Sequence, residues 1–384
     1  MKLGSRTILC AAAAATVVWL VRVVLAGSQG APAERPVMAE DVFKNIQVLK
    51  GIPADEFMGT MSVFSAALGE SCETCHDGSG GWASYALDTV PRKRTARRMV
   101  TMMAAINQAN FGGRQVVTCW TCHRGRDRPV TTPTLDAVYG PPTDESDDVL
   151  TQARGVASVD QVLDKYLQAI GGAQNVARVT SFVARGNSGG YGPEGDKRPV
   201  EIFAKIPGGG APRFQRTTII HTLDGDSTRT FDGRAGWIAA PHRPVSVLAL
   251  TGGELDGARL DAQLSFPAQI KQAFNGWRAG AATTLNDRPA QVLQGTSPGG
   301  TLANFYFDRD SGLLVRLVRF APSKVGRLPT QIDYADYRDV GGVKLPFHWT
   351  VTWLSGVDTF ELTEVRPNVP IDAAKFAKPA PPPP

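Results

Sequence analysis

Two short segments hold the residues best placed to do chemistry. Cys72-Glu73-Thr74-Cys75-His76 and Cys119-Trp120-Thr121-Cys122-His123 both read C-x-x-C-H. That spacing is the attachment signature of covalent c-type haem. Two thiols separated by two residues reach the two vinyl groups along one porphyrin edge. The adjacent imidazole is then carried to the iron as an axial ligand. A zinc site of thiolates and imidazoles, or a disulfide-forming thioredoxin-like pair, would also use C-x-x-C. The repetition of the whole motif favours haem. So does the cysteine count: of five cysteines only Cys10 lies outside, in an apolar N-terminal run where it reads as a small hydrophobe. Two covalently bound haem c groups are therefore expected, on Cys72, Cys75, Cys119 and Cys122, with His76 and His123 on the irons.

The sixth ligand decides what each iron does. A His–Met iron is closed and suits electron transfer, whereas an open iron would suit a peroxidase-like enzyme. The remaining histidines, His221, His242 and His348, all fall late in the chain. The haem segment thus has no third histidine of its own. It has Met58 and Met61 before the first motif and Met99, Met102 and Met103 before the second. From spacing alone each of these can be ligand or packing. Between Asp88 and Arg128 there are nine basic residues against two acids. Arg97, Arg98 and Arg124 are candidates to pair with haem propionates; the others read as a solvated face. No aromatic residues interleave with the charges in the manner of a nucleic-acid surface.

These residues need elements to hold them. Pro53-Ala54-Asp55-Glu56 opens a helix that ends near Gly69. A second helix is predicted from about Thr95 to Asn110, with Met99, Met102, Met103 and Ile106 as one apolar stripe. Ser158-Val159-Asp160-Gln161 is a capping box for a helix to Ile170, closed by Gly171-Gly172. Strands are predicted at 179–184, 200–206, 213–220, 236–239, 290–294, 302–307, 313–320, 331–337, 347–353 and 359–365, with a helical stretch at about 258–274. Asp308–Gly312 and Asp339–Gly342 read as hairpin turns. Trp237, Phe266, Trp277, Phe305 and Trp349 read as sheet core.

The whole chain has 384 residues, 42% hydrophobic and 20% charged. That is ordinary for a globular chain of about two domains and opposes wholesale disorder. Residues 1–26 have a charged start, an apolar run and small residues at its end, the layout of a signal peptide. Removing it would take Lys2, Arg6 and Arg22 and lower the formal charge from +5 to +2. The order is then a haem module at 38–130, a Pro-rich acidic linker at 131–156, a sheet domain at 157–378 and a Pro-rich tail at 379–384. The predicted fold is an all-α dihaem module followed by an α+β curved antiparallel half-barrel. The expected location is periplasmic or otherwise extracytoplasmic, with membrane association through the N-terminus as a variant.

The segment 40–130 resembles the photosynthetic reaction centre cytochrome c subunit family. The likeness runs through Val42–Lys50, Glu56-Phe57-Met58-Gly59-Thr60-Met61, Cys72–His76, Ala96-Arg97-Arg98-Met99, Ala105-Ile106-Asn107 and Cys119–His123 with Arg124-Gly125. It implies that a methionine on each upstream helix ligates the haem of the motif that follows: Met61 for the first haem and Met99 for the second. It also implies an electron carrier rather than an enzyme, with a redox protein partner at the membrane or in the periplasm. The family subunit carries four haems and one extra histidine ligand. Two motifs stand here, and Asn110-Phe111-Gly112-Gly113-Arg114 has no histidine, so the family's place in photosynthesis is implied only in part. The C-terminal region is similar, more weakly, to LolA/LolB lipoprotein carriers, through Gly312–Arg316, Tyr334–Arg338 and Val343–Phe347. That implies an acyl lipid or lipoprotein on its concave face, and with it the alternative of a lipid carrier fused to a haem redox sensor.

Overall fold

The structure, a computed structural model, describes residues 35–129, 131–132, 150, 152–190, 196–208, 213–241, 243–274 and 276–382. The expected signal peptide, most of the linker, His242 and the last two residues lie outside the described residues.

The N-terminal part is helical: α1 (Ala39–Val42), α2 (Ala54–Leu68), α3 (Gly81–Ser84), α4 (Pro91–Phe111) and α5 (Cys119–His123). Pro53 precedes α2, and Gly69 ends it in the left-handed conformation at φ 67°. Gly69 has a second constraint, because a Cβ there would collide with the Gly125 carbonyl. Helix α4 begins at Pro91, four residues before the predicted start, because Pro91 fits the first helical turn. Its predicted apolar stripe packs only in part. Val100, Met103 and Asn107 are buried, whereas Met99 and Met102 are exposed.

The second part opens with α6 (Val159–Ala169) and α7 (Ala173–Arg178). Helix α6 starts on the predicted capping box: the Ser158 hydroxyl accepts from the Gln161 N–H, and the Gln161 side chain accepts from the Ser158 N–H. Thirteen strands follow: β1 (Ser181–Gly189), β2 (Lys197–Lys205), β3 (Gln215–Thr222), β4 (Gly225–Phe231), β5 (Gly236–Ala239), β6 (Val247–Ala249), then, after α8 (Gly252–Leu264), β7 (Gly276–Leu285), β8 (Arg288–Thr296), β9 (Leu302–Asp308), β10 (Leu314–Pro322), β11 (Arg327–Val340), β12 (Val343–Trp353) and β13 (Gly356–Pro367). They form one sheet in the order β6-β5-β4-β3-β2-β1-β13-β12-β11-β10-β9-β8-β7. Two antiparallel meanders thus meet in the middle along β1 and β13, from Phe182 opposite Pro367 to Gly189 opposite Thr359. The register slips by one at Arg185–Gly186, where the Glu361 carbonyl occupies the space a Cβ on residue 186 would need.

The sheet must curve. Helix α8 carries Glu254, which pairs with Arg229 on β4 at 3.1 Å and with Arg319 on β10 at 3.8 Å. Those strands are seven places apart in the sheet. In a flat sheet they would lie roughly 34 Å from each other. A helix of this length spans only about 20 Å. The chain leaves β6 at one edge, crosses the concave face through α8 and a 3-10 turn at Pro267–Gln272, and enters β7 at the other edge. This half-barrel is the predicted curved antiparallel fold.

The concave face is filled from within. Leu163, Ile170, Phe266, Ile270, Phe305, Phe307 and Leu317 are fully buried there. Trp237, Phe266, Phe305 and Trp349 are buried as predicted, and Trp277 packs edge-on against Phe274 and Phe305. On the other face, Ile371 and Phe376 from the C-terminal segment cover Val183 and Phe203.

Strands β4, β6 and β7 and helix α7 have no counterpart in the prediction. Strand β4 is mostly polar, β6 has three residues, and β7 reads Gly-Trp-Arg-Ala-Gly-Ala-Ala. Their neighbours in the sheet, rather than their own propensity, hold them extended. The predicted helix at 258–274 starts instead at Gly252, after Thr251, and breaks at Ser265–Phe266.

The two parts interlock within one compact unit, Pro36–Pro384. The tip of the β10–β11 hairpin puts Val325 among Val63, Val100 and Met103 of the helical part. At a second point, the buried Asp55 carboxylate of α2 accepts from the Thr251 N–H at 2.6 Å and from its hydroxyl at 2.7 Å. Thr251 is the N-cap of α8, so the acid also meets the positive end of that helix.

Glu254 yields a stability prediction. Burial alone would raise its pKa, but Arg319 and Arg229 hold it down to about 2. Its contribution is therefore present above the ordinary carboxylate pKa and is lost as pH falls toward about 2. Glu254→Gln should lower unfolding stability by about 1–3 kcal/mol at neutral pH, measured by urea denaturation. The gap to wild type should shrink progressively in acid.

Candidate haem-binding site

The first motif begins in a 3-10 turn, Cys72–Thr74, where the His76 N–H donates to the Cys72 carbonyl at 3.0 Å. The second lies on α5, which Thr118 and Thr121 cap reciprocally. Helices α2 and α5 touch, and the Gly125 N–H donates to the Ala67 carbonyl at 2.9 Å. The two motifs therefore sit on adjoining backbone.

Both histidines are oriented in the same way. His76 Nδ1 lies 2.9 Å from the Tyr85 carbonyl, and His123 Nδ1 lies 2.9 Å from the Arg126 carbonyl. A carbonyl oxygen can only accept, so each Nδ1 donates, and in the neutral ring Nε2 then has its lone pair available for a metal. The Tyr85 ring stacks on the His76 imidazole at 4.9 Å, and Lys93 donates to the same Tyr85 carbonyl at 2.7 Å. Burial lowers the His76 pKa and so favours the neutral ring a ligand needs.

None of the four motif cysteines is in a disulfide. Burial pushes the Cys75 thiol up, and the Cys119 thiol up to about 11. Redox-active C-x-x-C pairs show the opposite shift. Among the described residues, no group of three or more His, Cys, Asp or Glu side chains converges as a metal cage. Neither a lowered thiol pKa nor a converging ligand set among the described residues favours the thioredoxin-like or zinc readings.

The surroundings fit a large apolar occupant. Trp82, Leu87, Met99, Met102, Val116 and Trp120 are large apolar side chains left exposed around the motifs. Elsewhere among the described residues only Leu223 and Val357 are comparable. Such a concentration marks a surface that binds something. Met58 and Met61 are half-buried on α2. Met99 is 38% exposed and Met102 48%, whereas Met103 is packed at 6%. Met103 is thus core, and Met61, Met99 and Met102 keep free surface.

The basic cluster serves several ends. Arg97 grips both oxygens of Asp88 at 2.8 and 2.9 Å and also donates to the Asn45 carbonyl. Arg92 bridges Glu70 and Asp127, which lie beside the first and second motifs respectively. Arg98 is exposed and bonds Thr95, and Arg124 is exposed in the left-handed position that ends α5. His221, on β3 of the sheet, pairs with Asp226 at 2.7 Å. His348 lies on β12.

Two orienting residues escaped the sequence reading. Tyr85 acts through its carbonyl and ring, nine residues past His76, with no spacing rule to reveal it. Asn107 is buried near the C-terminal end of α4 and clamps the approach to the second motif. Its side chain accepts from the Val116 and Val117 N–H groups and donates to the Val117 carbonyl. A polar residue one turn past Met103 on an apolar face was the available signal.

Comparison with known proteins agrees with the resemblance read from the sequence. Residues 16–182 match the family described as photosynthetic reaction centre cytochrome C subunit, a longer stretch than 40–130. The photosynthetic reaction center cytochrome c subunit of Roseobacter denitrificans is 33% identical over 115 residues, 27% of this chain and 31% of that protein. That of Thermochromatium tepidum is 37% identical over 99 residues, 24% of this chain and 22% of that protein. The chain thus spans less than a third of the length of these relatives. Similar solved structures include a DUF1329 family protein from Desulfovibrio piger, at TM-score 0.42 and 11% identity, over 58% of this chain and 98% of that one. A LolA superfamily protein from Nitrosomonas europaea has TM-score 0.39 and 13% identity, over 58% of this chain and 99% of that one.

The Arg97–Asp88 pair is directly testable. The Arg97 hydrogen bond holds the Asp88 carboxyl at about 2. Arg97→Ala should return it toward the ordinary aspartate value, read by NMR titration of the side-chain carboxyl. An unchanged value in the variant would mean that Arg97 is engaged elsewhere in solution.

Proposed function

We propose that this chain is an exported dihaem c-type cytochrome that passes single electrons between redox proteins outside the cytoplasm. One observation carries the reading. Each C-x-x-C-H motif presents two unpaired thiols beside an imidazole whose Nδ1 is tied to a carbonyl, leaving Nε2 free. Haem bound there supplies reversible one-electron cycling of its iron.

The chain's own residues would divide the work as follows. Cys72 and Cys75 hold one porphyrin, and Cys119 and Cys122 the other. His76 and His123 supply the fifth ligands, oriented by the Tyr85 and Arg126 carbonyls. Met61 and Met99, each with free surface on its helix, supply the thioethers. Trp82, Leu87, Met102, Val116 and Trp120 exclude water from the porphyrin faces. Exposed Arg98 and Arg124 are free to meet propionates, while Arg97, held by Asp88, braces the start of α4. The N-terminal signal-like segment supports export. A role beside a photosynthetic reaction centre is the form of this proposal that the cytochrome relatives support.

The sheet acts in this reading as a scaffold. The lipid- or lipoprotein-carrier reading is the alternative; in this conformation the chain's own helices fill the concave face. A hollow of about 260 Å³ near the β7–β8 turn has a mixed lining, with Leu285, Val315 and Tyr334 beside Arg288, Asp308, Asp333 and His348. Among the described residues, no helix is long and apolar enough to cross a membrane.

The purified chain should carry two covalent haems by pyridine haemochrome assay. Its oxidised form should show the weak far-red band of methionine–iron ligation. Met61→Ala and Met99→Ala should each remove about half of that band and lower one of two reduction potentials. A wild-type protein that lacks the band and binds carbon monoxide readily when reduced would overturn the closed-carrier assignment.

A further inference from the structure

We propose that the tip of the β10–β11 hairpin, Ser323–Gly326, belongs to the second haem site, so that the environment of that haem is set from the sheet. The inference rests on the dihaem reading and adds a positioning element that no C-x-x-C-H pattern contains.

The segment Val116–Cys119 leads into the second motif and has no strand or helix partner of its own. Its backbone polar groups must be satisfied from outside. Asn107 takes the N–H groups of Val116 and Val117 from one side. From the other side comes the hairpin. The Cys119 N–H donates to the Val325 carbonyl at 3.4 Å, and the Gln115 side chain donates to the Ser323 carbonyl at 3.0 Å. The hairpin tip is itself rigid: the Ser323 hydroxyl donates to the Gly326 carbonyl at 2.6 Å and accepts from the Val325 N–H at 3.3 Å.

The side-chain contacts agree. Val325 is fully buried, in one apolar cluster with Val63 of α2, Val100 and Met103 of α4, and the flanking Val117 and Cys119. The cluster therefore joins the hairpin tip to both methionine-bearing helices, and the Val325 carbonyl bonds the first attachment cysteine of the second motif. Among the described residues no such hairpin bond is made to Cys72–His76 itself; the β12–β13 turn reaches only α2, where Ser355 meets Ser62 at 3.0 Å. His76, the turn that carries it and the loop after it are held by Glu70, Tyr85 and Ser84, all local in sequence. Loss of Val325 packing would admit water behind the second haem, and water stabilises the more highly charged oxidised iron.

The test uses the full-length haem-loaded chain and redox titration, with the second haem assigned as the one whose potential Met99→Ala moves. Val325→Ala should lower that potential and leave the other in place. Val325→Ile should restore it. Gln115→Ala, at an exposed position, should move the same potential in the same direction by less, and it decides the matter if Val325→Ala fails to fold. Val183→Ala, also buried but in the separate cluster with Phe203, Ile371 and Phe376, should reduce stability and move neither potential. Hairpin variants that leave both potentials unchanged, or shift both equally, overturn the inference. Wild type with two haems and silent hairpin variants removes this inference alone. Wild type without covalent haem removes the dihaem reading as well.

Discussion

The helical part of this chain cannot bury itself, and most of its architecture follows from that. Helices α2 and α4 contribute Val63, Val100 and Met103 to a shared core, and the fourth buried member, Val325, comes from the sheet. Their other large apolar residues are only half-buried, and Met99 and Met102 are exposed. An isolated segment with so little buried surface would not hold a fold against the entropy of ordering it. Two remedies are visible. The sheet lends a hairpin, and in the proposed dihaem reading a large flat apolar cofactor would cover the exposed tryptophans and methionines. That reading would account for the exposure of Met99 and Met102 beside the buried Met103. A ligand's thioether has to face the cofactor, so it is not available for the core.

Helix α8 is the corresponding pivot of the sheet. Its Glu254 draws together arginines from strands seven places apart, which closes the half-barrel around it. Its N-cap, Thr251, receives Asp55 from α2. A single helix thus fixes the curvature of the sheet and the seat of the helical part. Burial raises the Asp55 pKa, although the Thr251 bonds work against the shift. That desolvation is tolerable because the acid lies at a helix N-terminus and keeps its hydrogen-bond donors.

Local signals carried the sequence reading where chemistry or capping fixes spacing. The two C-x-x-C-H motifs, the Ser158 capping box, Gly69 and Gly112 as helix ends, and the turns at Asp308 and Gly341 all depend on residues within a few positions of each other. What stayed hidden depends on distant partners. Strand β7, rich in alanine and glycine, is extended because β8 pairs with it. Val325 reads as an ordinary turn residue until α2 and α4 close around it. Asn107 and Tyr85 act on backbone carbonyls and amides, which have no sequence code. The alternation that places Met99 outside and Met103 inside is likewise set by which face meets the hairpin, and a moment along α4 alone cannot choose it.

The two motifs end up on supports of different stiffness. The second lies on a doubly capped helix whose approach is clamped by Asn107 and pinned to a thirteen-stranded sheet. The first lies on a 3-10 turn and a loop whose anchors, Tyr85, Lys93 and Ser84, are sequence neighbours. Site geometry is kept by the shell around the ligands, and a shell tied to a sheet moves less than one tied to a loop. Two chemically identical attachment motifs therefore give two inequivalent sites. Under the proposed electron-carrier function, such inequivalence in support and solvent access would be a physical basis for giving the two irons different potentials, and hence for giving the chain a direction.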